Sequence, residues 1–172
     1  KVLYAANAET PVPIASISKL MTYVLMREAM DAGTLHDDDA IVISADASAL
    51  SYSADGTIGM SAGYVVPLQE LIEAMLVASS NESCLAIAEH MSGSEQAFVN
   101  RMNARAAEMG LYSATFYTPH GLPKYSRDPL PAKCQNTMSA KDLFDLSAYI
   151  LQTYPDITDI TARQYVHMTT MD

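Results

Sequence analysis

The sequence holds only two cysteines, Cys84 and Cys134. Two are too few for a disulfide framework, and their spacing matches neither a zinc site nor a redox motif. Cys84 falls in an apolar helical run and reads as a small core residue. Cys134 reads as loop, near Pro131, and whether the two pair is open at this level. Basic residues are scarce: 10 Lys and Arg stand against 20 Asp and Glu, for a net charge of −10. Such a chain offers no basic face to nucleic acid or anionic lipid, so neither is expected as a partner. Long apolar runs are missing, and with no stretch of about 18 such residues nothing reads as a membrane span. A starting Met and a signal-peptide pattern are also missing, so the expectation is an internal piece of a longer protein. What is present suffices for a folded unit. The 172 residues are 49% hydrophobic and 17% charged, which suits about one domain with a core rather than a disordered tail.

Apolar spacing and turn chemistry give a coarse map. Val2 to Ala6 reads as a short strand and Asn7 to Pro13 as a turn-rich loop, in which Pro11 and Pro13 keep the chain extended up to Ser16. Leu20, Met21, Val24, Leu25 and Ala29 recur at three and four, predicting a helix over about 16–31 that stops at Gly33. Asp37-Asp38-Asp39 lacks the alternating ligands and the glycine of a calcium loop and reads as a solvated turn. Ile41 to Ile43 is a predicted strand, 44–63 a loop, and Tyr64 to Val66 an extended segment. Pro67 opens a helix from Leu68 to about Ser79, with Leu68, Leu71, Ile72, Met75 and Leu76 on its apolar face. Helices over about 83–91 and 95–109 follow, the latter capped by Ser94 and ended by Gly110. Residues 111–138 read as a long, partly structured loop. A last helix starts at the cap Ser139 and runs to about Gln152, and 165–170 is a candidate strand. The 11 methionines are spread over several helices and read as core filler.

The residues suited to chemistry begin with Ser16 and Lys19. Three apart at a helix start, they share one face of the helix, and a hydroxyl beside an amine can serve as nucleophile and base. Alone, Ser-x-x-Lys recurs about once by chance in a chain of this size, and a helix cap beside a surface lysine explains it as well. The context favours chemistry, because free N–H groups at a helix start stabilise developing negative charge. To act as a base, Lys19 must fall well below its ordinary pKa of about 10.4, through desolvation or a second cation. The second constellation is Ser79-Ser80-Asn81, at a break between helices. A hydroxyl and an amide there suit a proton relay and a contact to a substrate amide, although plain capping is the alternative. Asn81-Glu82-Ser83 also matches a glycosylation acceptor, which the tight break between helices argues against.

Together the two motifs are far more specific. Ser-x-x-Lys at a helix start followed by Ser-x-Asn between helices is the pattern of penicillin-binding proteins and serine β-lactamases. The chain resembles the low-molecular-weight D-alanyl-D-alanine carboxypeptidases. The resemblance runs over Pro13 to Thr22, Leu76 to Ala88, Gly93 to Val99, and Phe116 to Pro123 with His120-Gly121-Leu122. It implies an α/β fold with a helical cluster packed on a mostly antiparallel sheet. It also implies Ser16 as the acylated nucleophile, Lys19 as its base, Ser79 as the proton relay and Asn81 as a substrate contact. The Ser16 N–H would form half of an oxyanion hole, while His120 and Gly121 are read as structural. The implied reaction is removal of the terminal D-alanine from peptidoglycan stem peptides through an acyl-enzyme. The implied partners are a stem peptide ending in D-Ala-D-Ala and β-lactam antibiotics. No metal or organic cofactor is implied. The implied location is extracytoplasmic, in a parent that such families often tether to the membrane.

The sequence departs from the family at its third motif, Lys-Thr-Gly or a close variant. None of Lys1, Lys19, Lys124, Lys133 and Lys141 is followed by Thr-Gly or Ser-Gly. The expectation is therefore a partial catalytic domain over 1–172, helix-rich because several strands are missing. The parent is expected to be active, and this piece weak or inert. Three other readings compete. A class A β-lactamase needs a Glu-x-x-Leu-Asn segment, and none occurs. An α/β-hydrolase is suggested by Gly59-Met60-Ser61-Ala62-Gly63 with His120 or His167 downstream. Its serine should sit between a strand and an immediate helix, and the extended Tyr64-Val65-Val66 follows instead. A non-catalytic domain that senses β-lactams or binds the cell wall keeps the same serine and lysine.

Overall fold

In the computed structural model, which describes residues 3–51, 57–125 and 133–169, one helix is buried almost all round. It is α4, Asn81–Ser92, with Asn81 to Ala88 buried without a break. A helix enclosed on every side has no polar face to spare, so it packs against four others. These are α1 (Lys19–Asp31), α2 (Ala45–Leu50), α3 (Leu68–Val77) and α5 (Glu95–Glu108). Two further helices, α6 (Ala140–Thr153) and α7 (Ile157–Thr161), complete the cluster. Leu68, Leu71, Ile72 and Met75 of α3 are buried as their spacing predicts, and Leu76 is partly so.

Serine chemistry sets four of the helix starts. Ser44, Ser80, Ser94 and Ser139 each accept a hydrogen bond at Oγ from the backbone N–H three residues on, at 2.9, 3.0, 3.2 and 3.1 Å. Each cap supplies a partner for an amide that the helix itself leaves open, worth about 1 kcal/mol.

The strands are short and antiparallel. They are β1 (Val12–Pro13), β2 (Ala40–Val42), β3 (Val65–Pro67), β4 (Lys124–Tyr125), β5 (Lys133–Cys134) and β6 (Thr137–Met138). They pair β1–β6, β2–β3 and β4–β5. The first pair sets the approach to Ser16: Val12 faces Met138, Pro13 faces Thr137, and Ile14 N–H donates to Asn136 O at 3.1 Å. The result is the helix-rich α/β arrangement expected, with small antiparallel sheets.

Several local expectations are corrected. Residues 3–6 form no strand, and Val2 lies outside the described residues. The segment 44–63 is not all loop, because Ser44 caps α2 over Ala45–Leu50. A six-residue helix is too short to show apolar periodicity, and its signal was the cap with Asp46 behind it. α4 begins at Asn81, two residues earlier than expected, because Ser80 serves as its cap. Residues 165–169 pair with no strand, Thr170 lies outside the described residues, and α7 was not foreseen. Cys134 lies in β5 rather than in loop, and it forms no disulfide with the buried Cys84.

α1 is locked to its neighbours by paired charges laid on aromatic rings. The Arg27 guanidinium lies 4.7 Å from the Tyr154 ring centroid and pairs with Asp156. Arg105 of α5 grips Glu28 of α1 at 2.8 Å, and Tyr149 of α6 donates to the same carboxylate at 3.2 Å. Bidentate Arg–carboxylate geometry and cation–π contact make these pairs stiff. The helix that begins at Lys19, just after Ser16, is therefore held from α5, α6 and the start of α7.

Candidate active site

Ser16 sits in a 3₁₀ turn, Ala15–Ser18, that runs directly into α1. The residue before it, Ala15, has φ +45, a left-handed conformation that costs an L-residue about 1–2 kcal/mol. Ser79 has φ +58, at the three-residue break between α3 and α4. Two of the three non-glycine residues with positive φ among the described residues are thus at the expected site. Strained backbone held in place this way is typical of functional sites.

Lys19 joins the two motifs. It is 3% exposed, while Ser16 itself is open to solvent. Its Nζ lies 3.1 Å from Ser16 Oγ, 3.3 Å from Ser79 Oγ, 2.8 Å from Asn81 Oδ1 and 3.0 Å from His120 O. Asn81 Oδ1 and His120 O can only accept. A neutral amine has two N–H donors and one lone pair. Its two donors match those two oxygens, which leaves the lone pair for a serine hydroxyl. Burial lowers the Lys19 pKa from its ordinary value, with Cys84 and Glu82 pulling the other way. Of the two routes foreseen for that shift, desolvation is the one found.

Sequence reasoning missed one of the four groups around the amine. His120 O is a backbone atom and carries no signal of residue type. The segment that supplies it is fastened from both sides. Pro119 O accepts from Thr22 Oγ1 of α1 at 2.8 Å and from Cys84 Sγ of α4 at 3.1 Å. Gly121, with φ +93, lies under the nucleophile turn, where an added Cβ would stand 1.9 Å from Ala15 O. Glu82, next to Asn81, was also missed. It is fully buried, and its Oε1 accepts from Ile58 N at 2.6 Å and Gly59 N at 3.0 Å. That contact ties residues 58–59 to the start of α4. Gly59 to Gly63 form a loop with no helix after Ser61, unlike a hydrolase nucleophile turn.

The His120 ring is buried and points away from acid–base work. Its Nδ1 accepts from Leu122 N at 3.1 Å, and its Nε2 lies 3.7 Å from Glu95, which is itself paired with Lys124 at 2.7 Å. Burial, with Lys19 and Lys124 nearby, pushes its pKa down to about 3. The neutral ring is therefore the folded form, whereas the unfolded chain takes up a proton below about 6.5. Its contribution to stability is full above pH about 6.5 and is lost as pH falls toward 3. A fall from pH 7 to 4.5 should therefore cost about 2–3 kcal/mol at this residue. Urea midpoints should show that loss in the parent chain and a smaller one in His120→Asn. Equal losses would mean the ring titrates freely in the fold.

The described residues contain no cluster of His, Cys, Asp and Glu able to hold a metal ion. Nor does any described helix have the length and apolarity to cross a membrane.

All 172 residues match the family model described as D-alanyl-D-alanine carboxypeptidase. The D-alanyl-D-alanine carboxypeptidase DacF of Bacillus subtilis (strain 168) is 36% identical over 122 residues, covering 71% of this chain and 31% of its own length. Among solved structures, a peptidoglycan synthesis regulatory factor (PBP3) from Streptococcus pneumoniae is similar with a TM-score of 0.87 at 32% identity. That match covers 95% of this chain and 46% of the other. The ampicillin-bound form of penicillin-binding protein D2 from Listeria monocytogenes matches with a TM-score of 0.73 at 28% identity, over 95% of this chain and 61% of that one. The chain spans about a third of the length of the curated relatives it matches.

Proposed function

The chain belongs to the D-alanyl-D-alanine carboxypeptidase family, and from that premise we propose that residues 1–172 are part of a D,D-peptidase catalytic domain. The whole protein removes the terminal D-alanine from peptidoglycan stem peptides. One observation carries this reading: a buried Lys19 amine lies within 3.3 Å of both Ser16 Oγ and Ser79 Oγ. That placement supports a proton path from nucleophile to leaving group.

The steps follow from it. Neutral Lys19 takes the proton of Ser16 as Oγ bonds to the carbonyl carbon of the penultimate D-alanine. The Ser16 N–H helps hold the resulting oxyanion. The intermediate collapses, and the departing D-alanine nitrogen receives the proton from Lys19 by way of Ser79. Water then attacks the acyl-enzyme and frees Ser16. Asn81, whose Oδ1 holds Lys19, is read as the contact for the amide side of the peptide. A β-lactam acylates the same serine, as the ampicillin-bound relative suggests. Action on cell-wall peptides would put the parent outside the cytoplasmic membrane, and a tether would fit that site of action.

The test is D-alanine release from a peptide ending in D-Ala-D-Ala by the protein that carries this segment. Release should vanish in Ser16→Ala. Undiminished release in that variant would overturn the assignment.

A further inference from the structure

Two of the segments that build the cage around Lys19, the Ser16 turn and the 117–121 loop, lie far apart in sequence. Their relative position decides whether the lone pair of Lys19 meets Ser16 Oγ. One buried side chain belonging to neither segment spans them. Asn136, 1% exposed, accepts at Oδ1 from Tyr117 N at 2.7 Å and Thr118 N at 3.2 Å. Its Nδ2 donates to Thr118 O at 2.8 Å and to Ser18 Oγ at 2.9 Å. The amide can be placed only one way round. Turned over, it would aim donors at two N–H groups and an acceptor at a carbonyl.

The chain of bonds continues to the nucleophile. Ser18, itself buried, donates from Oγ to Ala15 O at 2.6 Å. Ala15 is the strained residue before Ser16, and its carbonyl is the atom that lies against Gly121. The backbone of Asn136 adds a third hold, accepting from Ile14 N at 3.1 Å. Asn136 therefore grips the loop that supplies His120 O, while its other arm fixes the carbonyl just ahead of Ser16. Ser18 is the relay, accepting from Asn136 and donating to Ala15.

We propose that Asn136, acting through Ser18, is a positioning residue that sets Ser16 Oγ on the Lys19 amine. This rests on the reading of Ser16 as nucleophile. A merely structural role would lower the melting temperature and leave the chemistry of folded molecules alone. A positioning role changes the saturating rate of acylation and leaves the half-saturating concentration of the acylating agent unchanged, because reacting groups misplaced by a fraction of an ångström lose rate rather than binding.

The probe is benzylpenicillin, with acylation of the whole protein that carries this segment followed by intact mass at several concentrations. Ser18→Ala cuts only the relay. Asn136→Asp keeps Oδ1 and removes both Nδ2 donors. Each should lower the saturating rate about tenfold in folded protein at unchanged half-saturation. The double variant should be no slower than Asn136→Asp alone, since both cut one chain of bonds. Additive losses, or wild-type rates with only a lower melting temperature, would overturn the proposal.

Amide hydrogen exchange on the same proteins separates the two layers. Ser18→Ala should speed exchange within residues 16–19 and 118–121 and leave α5 unchanged. If wild type takes no adduct, the reading of Ser16 fails on its own. Unchanged exchange in both single variants sinks the Asn136 proposal, whatever the acylation shows.

Discussion

Lys19→Met should slow acylation of Ser16 by about 10³-fold in molecules that remain folded, within the range spanned by general-base catalysis. The side chains are similar in length, so the buried channel stays filled. Asn81 Oδ1 and His120 O lose their common donor, and each unsatisfied acceptor costs about 1–3 kcal/mol. Against this, a group whose charged form is penalised by burial is gone. Lys19→Arg makes the companion test. It keeps a cation and donors, but a guanidinium cannot give up its proton. If Lys19 acts as a base, Arg fails as Met does. If it acts only as a fixed positive charge, Arg retains much of the rate. Acylation measured by mass across a pH series adds a third constraint. The rate should rise with pH and level off below the ordinary lysine range, because the folded pKa is lowered.

The second large effect is Gly121→Ala. The new Cβ would stand 1.9 Å from Ala15 O and 2.4 Å from Ala15 C. Both are backbone atoms, so no rotamer change relieves the clash, and φ +93 is strained for alanine in any case. Either the 118–121 loop or the Ser16 turn must move. Overpacking and strain together should cost about 3 kcal/mol. Either movement displaces Ser16 from Lys19 or His120 O from Lys19, so acylation should fall about 10²-fold in molecules that remain folded. Gly33→Ala supplies the control. Its φ is +68 but nothing lies within 4 Å of the added carbon, so only the left-handed strain of about 1–2 kcal/mol applies, with no loss of rate. Urea midpoints and acylation rates on the two variants test the contrast. Equal behaviour would mean that close approach at Gly121 has no role in holding the site.

These expectations show which parts of the molecule the amino-acid order discloses. The long helices were legible because their apolar residues recur at three and four, and α5 and α6 start at the serine caps Ser94 and Ser139. Short elements were not. β1, β4, β5 and β6 are two residues long, too short for a two-residue period to register, and their pairing depends on segments far apart in the chain. At the site, Ser16, Lys19, Ser79 and Asn81 were legible as side chains at fixed spacing, and the fold brings the other three around the Lys19 amine. The remaining members were hidden for physical reasons. His120 contributes a carbonyl, which any residue could offer. Asn136 acts through four hydrogen bonds to groups 18, 19 and 118 residues away, and an asparagine in a turn-rich stretch signals nothing beyond a turn. Glu82 reads as an ordinary acidic residue in a first helical turn until its burial is known.

The most direct measurement is intact mass after prolonged incubation with benzylpenicillin, followed by peptide mapping, on the whole protein that carries this segment and on its Ser16→Ala variant. The expected result is one covalent penicilloyl group per chain, on the peptide that contains Ser16, and none on the variant. An adduct that survives in Ser16→Ala, maps elsewhere, or never forms on the parent chain would contradict the assignment of Ser16 and Lys19 as nucleophile and base.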